Sequence, residues 1–332
     1  MRFGRWCGIR LPPTVGKTAV GEAVRIKGET GSETGGYFRG ILFCCLATVC
    51  WSLSGAFVRS IPAIDPWTIN AYRGLSTGFC LLFYLLLRYR RDTLKHIFPR
   101  EPMGFVVAAG FFAAGSTLYI LALSMASVAS VSVLGATSPI FAALLAWLML
   151  RERTSPLVLC ATVMVMVGVY LIASAEEQVM QNGLLGTFVG VMVGFTFAGQ
   201  TVSLRRYRHM EMTPAIMYGG FLVTLFVLVI RGLPILSLHD YAIIALMGLV
   251  QLAVPLVLYV EGAKYVPSVQ AILISLGDVV LNPSWAWLTH GEAVRPGVFL
   301  GGAIIVAAIL LATVWPQLRK PRVEAPLENS AT

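Results

Sequence analysis

The sequence predicts an all-α integral membrane fold with ten transmembrane helices in two inverted five-helix repeats. Three observations carry that reading. Of 332 residues, 57% are hydrophobic and only 12% charged, with a mean hydropathy of +0.78. That is more apolar surface than one soluble core can bury, so a bilayer must be the solvent. The apolar residues fall into ten runs, each near the roughly 20 residues a bilayer-crossing helix needs. Finally, a sequence pattern recurs 140 residues further on. Five spans per copy is an odd number, which turns the second copy upside down in the membrane.

Residues 1–37 are Gly-rich and basic and lack an apolar core long enough for a signal peptide. They read as a disordered cytoplasmic tail, or as sequence upstream of the true start. The ten runs are 38–58, 67–87, 103–123, 128–150, 156–174, 183–204, 214–230, 240–260, 266–288 and 297–315. The first five form one half, 38–174, and the last five the other, 183–315; a second cytoplasmic tail, 316–332, follows. Pro66, Pro102, Pro156, Pro214 and Pro296 stand at the starts of runs. There a missing backbone N–H costs nothing, because the first turn leaves it orphaned anyway.

Charge sets the orientation, since Lys and Arg accumulate in cytoplasmic loops. With the N-terminus inside, 21 of the 25 Lys and Arg residues lie in inside segments. Only Arg59, Arg231 and Arg295 lie outside, and Arg73 lies within the second run. Both termini are thus expected in the cytoplasm. The net charge of +9 does not imply nucleic acid, because the cations sit in short clusters between apolar runs. The repeat aligns Ala146-Trp147-Leu148, Glu152, Pro156 and Val158 with Ala286-Trp287-Leu288, Glu292, Pro296 and Val298, at the junction of the fourth and fifth helix of each half.

The six cysteines form no CxxC pair and share no zinc spacing with histidine, and no GxxxxGK[ST] loop is present. No cofactor, metal or catalytic residue is expected. The lipid bilayer is the one implied macroscopic partner, and a homodimer is left open.

Trp51, Arg73, the stretch from Ala122 through Ser138-Pro139 to Ala146-Trp147-Leu148 and Glu152, and its echo in Asp278, Ala286-Trp287-Leu288 and Glu292 resemble the drug/metabolite transporter superfamily. The likeness is to its EamA type, built of two five-helix repeats, and it covers about residues 38–315. It implies a carrier for small polar solutes, such as amino acids or nucleobase-like compounds, in a bacterial plasma membrane. It also implies a central cavity lined by helices 1, 3, 4, 6, 8 and 9. This sequence has Asp278-Val279 where many relatives place an acid before a proline, and it adds an expected helix break at Asn282-Pro283. A channel or lipid scramblase, or a membrane-embedded enzyme or scaffold, are the alternative readings.

Ionisable groups inside a membrane are costly unless paired or hydrated. Asp278 stands near the middle of the ninth run, four residues before Asn282-Pro283, where a proline frees a carbonyl. It reads either as a site for a substrate amine or a proton, or as an acid buried for packing. Arg73, roughly 10 Å below the outer surface at helical rise, reads as a structural residue that snorkels, or as an anion-binding or gating group. Glu152 and Glu292 each precede a helix-opening proline by four residues, so they read as structural caps for the next helix. Trp51, Tyr119, Ser138, Gln200, Gln251 and Gln270 complete the candidate binding set. Together they suggest a largely neutral polar pocket with one acid.

Overall fold

The computed structural model describes residues 35–53, 64–98, 102–125, 128–174, 184–290 and 296–318, and contains no strand among them. In chain order the long helices are α1 (Gly35–Ser52), α2 (Pro66–Tyr89), α3 (Pro102–Met125) and a two-armed α4 (Val128–Gly135 and Ser138–Leu150). Then come α5 (Pro156–Ser174), α6 (Leu184–Arg206), α7 (Thr213–Arg231) and α8 (Leu238–Ala263). A two-armed α9 (Ser268–Ser275 and Asp278–His290) and α10 (Pro296–Thr313) complete the set. Proline opens α2, α3, α5 and α10 and is the second residue of α7. The Asp65 carboxylate caps α2 by accepting the N–H groups of Trp67 and Thr68.

Eight of these helices are long and apolar enough to cross a bilayer. The other two are α2, whose first half carries Asn70, Arg73, Ser76 and Thr77, and α9, which a turn at 276–277 divides. Large apolar side chains face outward, Phe83 at 62% and Val229 at 76% exposed among them. Such a surface is stable only against lipid.

The helices pack in reciprocal pairs: α2 lies on α7, α5 on α10, and α3 on α6. Two crossings depend on bare glycine. A Cβ on Gly220 would sit 2.6 Å from the Gly74 carbonyl, and one on Gly74 2.8 Å from the Gly220 carbonyl. The same holds between Gly168 and Gly301, at 2.7 and 2.5 Å. Small residues let these backbones approach, which is how membrane helices gain contact without a hydrophobic driving force.

The recurring Ala146-to-Glu152 spacing is, in the first half, a helix stop. Arg151 takes a left-handed conformation (φ 56°), and the Glu152 N–H closes back onto the Ala146 carbonyl at 3.3 Å. The Glu152 side chain does not cap α5, as the sequence suggested. Ser155 Oγ accepts the Val158 N–H instead, and Glu152 pairs with Arg205 of α6 at 3.4 Å. Glu292 lies outside the described residues.

The sequence placed a helix break at Asn282-Pro283, but the helix continues through both, and their side chains lie outside the description. The interruption comes six residues earlier, at Leu276-Gly277, immediately before Asp278. Pro283 is the sixth residue of its arm and has no N–H to offer the Val279 carbonyl. The break in α4 falls at Ala136-Thr137, so Ser138 and Asp278, 140 residues apart, both open a second arm. Each break rests on another helix. Gly194 of α6 lies against Thr137 and Ser138, and Thr48 of α1 donates to the Ile274 carbonyl at 3.3 Å.

Candidate functional site

A cavity of about 220 Å³ lies among α1, α2, α3, α6 and α8. Its walls are Trp51, Arg73, Phe112, Gly115, Ser116, Tyr119, Val193, Phe197, Gln200, Leu252 and Leu256. Trp51 is held by rings on two sides, with Tyr259 at 5.1 Å and Phe197 at 6.2 Å between centroids. Behind it Tyr259 is fully buried and shares a 3.1 Å hydrogen bond with Thr201. This aromatic cluster gives the cavity a rigid, largely apolar wall.

The polar groups are few and incompletely satisfied. Arg73 Nη2 donates to Asn70 Oδ1 at 3.1 Å, and Ser116 Oγ donates to the same oxygen at 2.7 Å. The Asn70 amide in turn donates to the Ser116 carbonyl at 3.4 Å. Arg73 Nε and Gln200 Nε2 are buried and have no hydrogen-bond partner. The same is true of Ser138 Oγ and Gln251 Oε1. A buried polar group left unmade costs about 1–3 kcal/mol, so the two such atoms on cavity-wall residues, Arg73 Nε and Gln200 Nε2, mark a place where partners are expected from outside the chain.

Tyr119 keeps 38% of its surface accessible while being enclosed by protein. Arg73 and Asp278 combine partial accessibility with enclosure in the same way, and Tyr119 lies within electrostatic reach of both. Asp278 is not part of the cavity wall itself. It is the first residue of the second arm of α9, a favourable place for negative charge at a helix start.

Of the residues singled out from sequence, Trp51, Arg73, Tyr119 and Gln200 meet at this cavity. Ser138 and Gln251 are buried away from its wall. Gln270 is elsewhere: it donates to the Ala312 carbonyl at 2.8 Å and accepts from Tyr37 at 2.9 Å, tying α9 to α10 and α1. Arg73 does not snorkel outward. Helix α2 takes the wall position expected of α4 and α9, neither of which contributes a described lining side chain. Asn70, Phe112 and Phe197 went unremarked in the sequence. The Asn70-to-Arg73 spacing of three residues, one face of a helix, was the available signal.

Helix α8 is itself irregular beside the cavity. Gly248–Ala253 forms a π turn, with the Val254 N–H reaching back to the Leu249 carbonyl, because Pro255 cannot supply the next bond. Helix α2 meets the disturbed carbonyls, Ser76 Oγ donating to Ala245 at 2.9 Å and Thr77 Oγ1 to Gly248 at 3.3 Å.

At the bundle end where α1 starts and α10 stops, with Gly36 close to Tyr265 and Tyr37 donating to the Thr313 carbonyl, polar contacts tie four helices. Arg205 bonds the Lys264 carbonyl at 2.8 Å as well as Glu152, Lys264 pairs with Glu261 at 2.9 Å, and Arg88 of α2 reaches Glu261 at 3.6 Å. In the α6–α7 loop, Glu211 accepts from Tyr89 and Thr213. Burial opposes its charge, but those hydrogen bonds and nearby Lys264 hold its carboxyl below the usual range. Each exposed pair is worth little alone; together they link α2, α4, α6 and α8.

A sequence profile of the EamA-like transporter family matches residues 38–174 and again 182–314. The chain belongs to the EamA-like transporter family. It is therefore a multi-pass membrane protein of a transporter family. Among relatives, "Uncharacterized transporter YwfM" of Bacillus subtilis (strain 168) is 22% identical over 286 residues, covering 84% of this chain and 95% of that protein. "Pseudopaline exporter CntI" of Pseudomonas aeruginosa is 24% identical over 280 residues, 82% of this chain and 94% of that one. "Solute carrier family 35 member G1" of Homo sapiens is 27% identical over 180 residues, 50% of this chain and 48% of its own length. A solved crystal structure superposes with a TM-score of 0.74 at 15% identity, covering 85% of this chain and 99% of that one. That likeness establishes that the fold of this EamA-like chain is shared with a solved protein.

Proposed function

We propose that the protein is a secondary carrier moving small polar metabolites, such as amino acids or nucleobase-like compounds, across a bacterial plasma membrane by alternating access. The observation that carries this is the cavity, where buried Arg73 Nε and Gln200 Nε2 lack partners while most of the remaining wall is apolar or aromatic. Binding sites have this composition: a shaped apolar surface with a few placed polar groups. Asp278, in electrostatic reach of Tyr119, is the proposed acid for a substrate amine or a coupled proton.

Ten spans in two inverted halves, 38–174 and 183–315, are part of the proposal. Two features support it: each half has one interrupted helix at corresponding places, and α2 and α5 pair with their counterparts α7 and α10. Alternating access in such folds rocks one half against the other around a midplane site. In this reading both termini are cytoplasmic, so the ion-paired end faces the cytoplasm. The name of the Pseudomonas aeruginosa relative favours outward transport.

Solute flux in proteoliposomes tests the function. A carrier shows saturable uptake and a channel uptake linear in concentration; no flux with product formation would mark an enzyme. Reporter fusions after Arg91, Arg153, Arg206 and Arg322 should all report cytoplasm, and one near Arg231 the outside. A single reversal breaks the ten-span arrangement.

A further inference from the structure

We propose that the Arg73 guanidinium, seconded by the Gln200 side-chain amide, is the docking point for the carboxylate of a small organic monoanion held in the cavity. The proposal rests on the carrier reading above and names the substrate group it selects.

Arg73 remains a cation at any physiological pH, and a cation enclosed within a membrane bundle requires a counter-charge. No ion pair to Arg73 occurs among the described residues. Its nearest acceptor, Asn70 Oδ1, is neutral and already shared with Ser116. That contact fixes the guanidinium plane without neutralising it, and Nε stays unbonded. The α2 backbone beneath it is immobilised, since Thr77 Oγ1 bonds the Arg73 carbonyl at 2.8 Å and also Gly248 of α8. The charge is thus held in place at the cavity wall.

Gln200, only 5% exposed, brings a second unpartnered donor to the same cavity from α6. Both free groups are donors, which defines the ligand end as an acceptor. Guanidinium and carboxylate match in plane and spacing, and one cation offsets one negative charge. A phosphate dianion would leave excess charge in a poorly solvated site. The remaining wall, Trp51, Phe112, Phe197, Leu252 and Leu256, suits an organic body better than a hydrated inorganic ion.

The test uses full-length protein in lipid nanodiscs and follows thermal stabilisation by the common amino acids and simple monocarboxylates, each paired with its primary amide. Chloride and inorganic phosphate are run alone. The expected result is that at least one acid stabilises the protein where its amide does not. Arg73→Gln should weaken that acid at least about ten-fold, equal to about 1.4 kcal/mol; Arg73→Lys should recover part of the loss, and Gln200→Leu should cause a smaller one. The proposal is overturned if amides bind as well as acids, if no acid binds, if Arg73→Gln leaves acid binding unchanged, or if only inorganic anions act through Arg73. The acid and amide comparison needs no variant, so a misfolded Arg73→Gln leaves the test intact. Saturable proteoliposome uptake of neutral solutes, with no preference for acids, would sink this proposal while sparing the carrier reading. Unsaturable flux would sink the carrier reading itself.

Discussion

Helices α2 and α9 each carry an ionisable group in a largely apolar helix, Arg73 in one and Asp278 in the other, and they hold it differently. Helix α2 is continuous for 24 residues and bonded through Ser76 and Thr77 to α8, through Asn70 to α3, and through the Gly74 crossing to α7. Arg73 therefore sits on a fixed wall. Helix α9 is divided, and Asp278 opens the second arm, just past a turn whose neighbours are Thr48 and Ile309. A charge at a seam between two half-helices changes its surroundings when either arm tilts, whereas one on a braced helix does not. Within the proposed carrier function, this contrast makes Arg73 the proposed anchor for a solute and Asp278 the proposed sensor or driver of the conformational change.

Replacing the seam charge should have the largest effect. Asp278→Asn keeps shape and much of the hydrogen bonding, so folded yield should stay near wild type while saturable uptake in proteoliposomes falls at least about ten-fold, equal to about 1.4 kcal/mol. Wild-type uptake by the variant would make Asp278 a packing residue and dissolve the contrast. The brace is next. Gly220→Ala places a Cβ 2.6 Å from the Gly74 carbonyl and should destabilise the protein by about 1–3 kcal/mol in a detergent melt. Gly110→Ala, with nothing within 4 Å of the new Cβ, is the matched control and should be neutral or stabilising.

A smaller effect is expected at the ion-paired end. The Glu211 carboxyl is held below its usual range, so its stabilisation is present above about pH 4.5 and lost as pH falls through its folded value. Glu211→Gln should lower stability at neutral pH by about 1 kcal/mol and flatten the acid limb of a Tm against pH curve. Smallest is Arg151→Gly, which relieves a left-handed non-glycine residue and should raise stability by about 0.5–1 kcal/mol; an unchanged Tm would mean the Arg151 side chain offsets its backbone.

Much of this arrangement was legible in the sequence because its causes are local. Apolar runs bounded by proline mark helices, and the 140-residue repeat marks the junction of the fourth and fifth helices, where the first half has its helix stop. The cavity was half legible. Trp51, Tyr119 and Gln200 could be named because polar or aromatic groups in apolar runs are conspicuous. Gln270 was equally conspicuous, but it serves as a tie to α10 and α1. Depth in a helix does not reveal which face a side chain takes, and that also hid the inward direction of Arg73. The break in α9 was misplaced because proline is the stronger signal on paper, while the turn at Leu276-Gly277 depends on Thr48 and α10 packing beside it. The π turn in α8 needed α2 to receive its carbonyls, a long-range cause with no local mark.

The central claim is that one cavity serves both sides of the membrane in turn, and counterflow tests it most directly. Proteoliposomes are loaded with an unlabelled solute found to stabilise the protein, then exposed to a trace of the same solute with label. A single alternating site predicts a transient overshoot of internal label above its equilibrium level, absent in Asp278→Asn vesicles with equal folded protein. Label that rises monotonically to equilibrium in wild-type vesicles, at a rate indifferent to the internal load, would contradict the account.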